Sequence, residues 1–138
     1  MALTAGFNIA RRGPGGRNDF GYPVAPGEQI WRGGIVCVNA SGQLQRIQTS
    51  GSVAAAGVAA QDFSNVGNAA ASVTQVVGMR GTYALTVPAA TASNIGANVY
   101  ATDDATLTLT VPATGFTGAI GTLVGIDGGQ TYVQMVGS

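Results

Sequence analysis

Apolar and polar positions alternate in short runs along most of the chain, and clusters of glycine, asparagine and aspartate break the runs. The clearest is Thr106-Leu107-Thr108-Leu109-Thr110-Val111, which puts Leu107, Leu109 and Val111 on one face of a strand and the threonines on the other. Residues 29–32 and 35–38 are apolar stretches parted by Gly33-Gly34. Asn39-Ala40-Ser41-Gly42 is a turn, because asparagine tolerates turn geometry and glycine supplies positive φ. Residues 44–47 then return as the partner strand of a hairpin. Residues 54–60, 72–79 and 82–87 read as further strands, the last ended by Pro88. A second hairpin joins 98–101 to 106–111 through Thr102-Asp103-Asp104-Ala105. A third joins 120–126 to 131–136 through Asp127-Gly128-Gly129, a strong short-hairpin signal. The one place for a helical turn is around 89–95. The first two hairpins echo each other: glycine, short strand, Asx turn, strand. The prediction is an all-β fold, a small β-barrel or sandwich of about eight short strands with an extended N-terminal arm.

The arm, residues 1–26, differs from the body, residues 27–138. Arg11-Arg12-Gly13-Pro14-Gly15-Gly16-Arg17-Asn18 has no periodicity, and its glycines and proline favour an extended, flexible path. The arm nevertheless carries Phe7, Phe20 and Tyr22 and half of the arginines. A purely solvated tail is poor in aromatics, so this arm is expected to dock, with Phe7, Phe20 and Tyr22 as apolar anchors and Arg11, Arg12 and Arg17 as paired contacts. Trp31, at the junction of arm and body, fits a core or an interface equally well. Because the strands are read as starting later, loss of residues 1–22 is expected to leave the body folded.

Composition changes the picture on the surface. Of 138 residues only 9% are charged, with six arginines, no lysine, no histidine, six carboxylates and no net charge. Typical domains carry about 25% charge, and net charge near zero promotes association. A surface this short of charge is expected to be covered by partner protein. Lysine, the usual guard of edge strands, is missing, so edges are expected to be closed by barrel pairing or covered by a neighbour. No apolar run is long enough to span a bilayer, and the first residues lack the basic and apolar regions of a secretory signal.

The same composition limits chemistry. Without histidine there is no Ser-His-Asp or Cys-His nucleophile system, and without lysine no Schiff base or phosphate-loop lysine. One cysteine, Cys37, can form neither an internal disulfide nor a zinc site, and reads as a small buried hydrophobe. The pair Asp103-Asp104 reads as turn chemistry facing water, and Gly13-Pro14-Gly15-Gly16 neither follows a strand nor opens a helix. Three arm arginines without a basic stripe elsewhere favour a protein over a nucleic-acid partner. The expectation is a non-enzyme without cofactor or metal, binding neither nucleic acid nor membrane.

The order of elements adds a resemblance. A glycine-led strand and the Asn39-Ala40-Ser41-Gly42 turn are followed by Ala56-Gly57-Val58-Ala59, residues 73–77 and Gly81-Thr82-Tyr83-Ala84-Leu85. Ile95-Gly96-Ala97-Asn98-Val99-Tyr100-Ala101, Ile120-Gly121-Thr122-Leu123-Val124-Gly125 and a valine-rich closing strand come last. Over residues 27–136 this pattern of glycines and strands resembles the capsid cement, or head decoration, proteins of tailed bacteriophages. The resemblance implies a virion protein that is assembled in the host cytoplasm. It would attach to the outside of the capsid, bind the major capsid protein and reinforce the shell. The chain is also expected to associate with itself, a trimer being favoured over a dimer. The competing reading is an adhesin-like or carbohydrate-binding β-module of a phage tail or surface layer, for which Trp31 is the obvious sugar platform.

Overall fold

The structure, a computed structural model, describes residues 2–6, 11–12 and 19–138. The described chain is nearly all β, in three antiparallel sheets that form a sandwich and no closed barrel. In chain order the strands are β1 (Arg11–Arg12), β2 (Phe20–Pro23), β3 (Gln29–Ile30), β4 (Ile35–Asn39), β5 (Leu44–Arg46), β6 (Ser52–Ala59) and β7 (Phe63–Ser64). There follow β8 (Gln75–Met79), β9 (Thr82–Ala84), β10 (Asn98–Ala101), β11 (Leu107–Thr108), β12 (Gly121–Asp127) and β13 (Gln130–Met135). The expected helical turn is a 3-10 turn at Ala92–Asn94.

One sheet has the order β1-β9-β13-β12-β10-β11, the second β2-β8-β6-β4-β5, and β3 pairs with β7 in a small ribbon. The first two sheets face each other across the main core. Ile35, Cys37, Ala55 and Val58 come from one side, and Tyr83, Val99, Leu123, Val133 and Met135 from the other. The five-stranded sheet is buried on its far side too, where Val36, Leu44, Ala56, Ala59 and Val76 pack with Val24 and Ile30.

A bulge in β6 makes both faces work. Val36 pairs with Gly57 and Cys37 with Ala55, so Ala56 is the extra residue. Ala55 and Val58 therefore face the main core, while Ala56 and Ala59 face the second. Without the extra residue a period of two would put Ala55 and Val58 on opposite faces. Gly57 sits at φ +101, and a Cβ there would run into the Met79 carbonyl. The closing hairpin is built as its sequence predicts, with Gly128 and Gly129 at φ +59 and +80, the two-residue turn that matches strand twist.

Three expectations change. Alternation over 106–111 does not yield a strand of that length: pairing stops at Thr108, whose hydroxyl accepts the Thr110 N–H at 3.1 Å and bends the chain away. Leu107 is buried, Leu109 packs against the core and Val111 is exposed. The body does not begin at residue 27, because Phe20–Pro23 is a full strand on β8 and Val24 and Ala25 are core residues. Removing residues 1–22 would thus uncover the β8 edge instead of trimming a tail. On this side the outermost strand of each sheet comes from the chain's own N-terminal segment, not from barrel closure. β1 pairs with β9 and β2 with β8, so one N-terminal segment borders both sheets where the chain passes from β8 to β9.

The bulge gives a stability test. Gly57→Ala combines a forbidden φ with a backbone clash and is expected to cost about 3 kcal/mol. Gly129→Ala, at a φ of +80 with nothing within 4 Å of the added carbon, is expected to cost about 1 kcal/mol. Urea unfolding of both variants measures the difference; equal losses would remove the bulge as a determinant of the fold.

Candidate functional site: the N-terminal docking edge

Of the residues singled out by sequence, Arg11, Arg12, Phe20 and Tyr22 belong to β1 and β2 on this edge. Arg11 and Arg12 pair through their backbone with Tyr83 and Thr82 of β9. Phe20 lies opposite Gly78 of β8 and is 57% exposed, so it is an outward group and not a core anchor. Tyr22, two residues on, is half-buried against the second core. Phe7 and Arg17 lie outside the described residues. Trp31 is half-buried, and its carbonyl accepts the Gly34 N–H at 3.0 Å in a tight turn.

Two arginines absent from the expected set hold the N-terminal segment, Arg80 at this edge and Arg46 at the opposite one, where β5 and β11 are the outermost strands. Arg80 stands at the corner between β8 and β9. Its backbone N–H donates to Asp19 Oδ1 at 2.8 Å, its Nε to the Val136 carbonyl at 3.1 Å, and its guanidinium lies 5.7 Å from the centre of the Phe20 ring. Its own carbonyl accepts the hydroxyl of buried Tyr83 at 3.0 Å. One residue thus ties the start of β2, the corner and the C-terminal strand.

Arg46, at the end of β5, ties the first residues. Its Nε donates to Asp104 Oδ2 at 3.0 Å and its Nη2 to the Leu3 carbonyl at 2.7 Å. Asp104 Oδ1 accepts the Leu3 N–H at 2.8 Å. Both backbone groups of Leu3 are therefore held by one ion pair, in which the Asp104 side chain is 2% exposed and that of Arg46 27%. Leu3 packs over Gly34, where an added Cβ would sit 3.0 Å from Leu3 Cδ1. Asp104 was expected to face water; instead the hairpin turn carries it inward, and its carbonyl accepts the Ile35 N–H at 2.9 Å. Its neighbour keeps the expected role. Asp103 Oδ1 accepts the N–H groups of Ala105 at 2.9 Å and Thr106 at 2.8 Å, just as Asn39 Oδ1 accepts those of Ser41 and Gln43. The two echoing hairpins share this Asx turn, and Arg46 of one grips Asp104 of the other.

The other candidates are structural. Cys37 is buried, and burial pushes its thiol up to about 12 against the lowering effect of a Ser52 hydrogen bond. A surface cleft of about 360 Å³ lies beside Gln48. The Gln48 amide holds the 109–119 loop: Nε2 donates to the Ala101 and Phe116 carbonyls, and Oε1 accepts the Phe116 N–H, all at 2.9 Å. Among the described residues no cluster of three histidine, cysteine, aspartate or glutamate residues could hold a metal. No described helix is long and apolar enough to cross a membrane.

No family model, curated protein or solved structure matches this chain.

Two outcomes follow from the ion pair and the Asx turn. Arg46→Met leaves Asp104 buried without its cation and is expected to cost about 3 kcal/mol. Asp104→Asn keeps an acceptor for Leu3 and leaves a guanidinium that reaches water, and is expected to cost about 1 kcal/mol. Chemical denaturation compares them. For Asp103, partial burial raises the carboxyl, but hydrogen bonds including those from Ala105 and Thr106 outweigh it, so the pKa lies below the usual 3.8. A depressed folded pKa contributes stability above the unfolded value, which is lost as pH falls through the folded one. Thermal unfolding from pH 7 to 2 is expected to show a loss below about pH 4. This loss should be smaller in Asp103→Asn, which keeps the turn acceptor without the titration.

Proposed function

We propose that this protein is a non-catalytic structural component of a bacteriophage virion that binds the outside of the capsid and stabilises it. The observation that carries the reading is where charge and apolar groups stand. Arg46, Arg80, Asp19, Glu28, Asp62, Asp103 and Asp104, most of an already small set, make internal bonds. Phe20, Val53, Val66 and Val73 stand outside, Val73 fully exposed. A surface of this kind is suited to lying against protein, and the partner is the major capsid protein, with further contacts between copies. The chain has no histidine or lysine, and no cofactor or membrane is needed for the role. Half-buried Trp31 makes a poor platform for stacking a sugar, which weighs against the carbohydrate-binding reading.

Contacts made only in the assembled particle lower the free energy of that state alone, so they appear as resistance to heat. Particles from the source carrying the protein are expected to release their contents at a higher temperature than particles stripped of it, and re-addition to be restorative. Equal release temperatures, or no binding to preformed shells in co-sedimentation, would overturn the proposal.

A further inference from the structure

The contact at Leu3 has the form of a receptor for an extended peptide. Asp104 and Arg46 take the N–H and the carbonyl of one residue, and the space left by Gly34 takes an aliphatic side chain. The acceptor is a carboxylate buried in the body and fixed by its own ion pair, so the receptor belongs to the body and the ligand to the N-terminal segment. Three residues on, Gly6 lies against Asp62, whose Oδ1 accepts the Arg32 N–H at 2.8 Å. These contacts read a backbone and a leucine, and nothing in them depends on the ligand belonging to the same chain.

We propose that this receptor also takes the N-terminal segment of a second copy, so that copies associate by exchanging residues 2–12. An exchanged segment meets the same Arg46, Asp104 and Gly34 and the same β9 edge, so no contact is lost and no new surface has to be complementary. What separates the two states is the effective concentration of the segment's own chain. From Arg12 to Asp19 there are seven peptide steps, at most about 25 Å when extended, and a neighbour whose β9 edge lies within that reach of Asp19 can be served. A short tether gives an effective concentration of about 1 mM, so exchange sets in as the concentration of copies approaches that value. Zero net charge removes the long-range repulsion that would keep copies apart. The inference rests on the body alone and needs no shell.

The test uses full-length protein. A nitroxide is placed on exposed Thr4 through Thr4→Cys, buried Cys37 staying unlabelled, and this copy is equilibrated with an equal amount of unaltered ¹⁵N-labelled protein. Exchange is expected to broaden the amides of Gly34, Ile35 and Asp104 in the ¹⁵N copy. The effect should grow from weak to dominant as concentration rises to about 1 mM, and should fall at least several-fold when the spin-labelled copy also carries Leu3→Asp. The hexapeptide Met-Ala-Leu-Thr-Ala-Gly is expected to shift the same amides. Broadening that spreads evenly over the surface, that ignores Leu3→Asp, or that is absent from the ¹⁵N copy at every concentration up to about 1 mM would overturn the proposal. Failure here leaves shell binding untouched, because that is read from preformed particles.

Discussion

The extra residue in β6 is the constraint from which the rest of the architecture follows. By shifting the strand's phase at Gly57, it lets the five-stranded sheet bury Ala55 and Val58 on one face and Ala56 and Ala59 on the other. A sheet buried on both faces needs a cover on its second side, and the β3 and β7 ribbon with Val24 provides it. The small residues of β6 suit this position, since they let three layers approach closely. The cost falls on the sheet edges. With no lysine to protect them, the strands nearest the β8 to β9 corner depend on the chain's own N-terminal segment, which supplies β2 to one sheet and β1 to the other.

Charge in this protein works as internal fastening more than as a solubility device. Arg46 grips Asp104 and Leu3, Arg80 joins three strands at the corner, and Glu28 accepts the Arg46 N–H at 3.0 Å and the Thr49 hydroxyl at 3.1 Å. Arginine suits these roles because its planar fork holds several acceptors at once and keeps its charge. A chain that uses its few charges this way leaves a surface of threonine, alanine, valine and glycine. Such a surface tolerates contact with other protein, and the same property underlies both the proposed attachment to a shell and the proposed exchange between copies.

What the sequence determined by itself was local. Alternation of apolar residues and the Asx and glycine turns specify the strands and the three hairpins, because period two and positive φ are properties of a few adjacent residues. The absence of histidine and lysine likewise narrows the chemistry without any structure. Tertiary structure alone decided the rest. Phe20–Pro23 resembles a linker of glycine and proline until β8 supplies its partner. Asp103 and Asp104 are adjacent and identical in type, yet one caps a turn at the surface and the other is buried under an arginine 58 positions away. Leu3, Arg46 and Arg80 carry no local signal at all, because their meaning lies in partners that only the folded chain brings within hydrogen-bond distance. Side-chain pairing across such separations depends on topology, and topology is settled by how the layers pack and not by any short stretch of sequence.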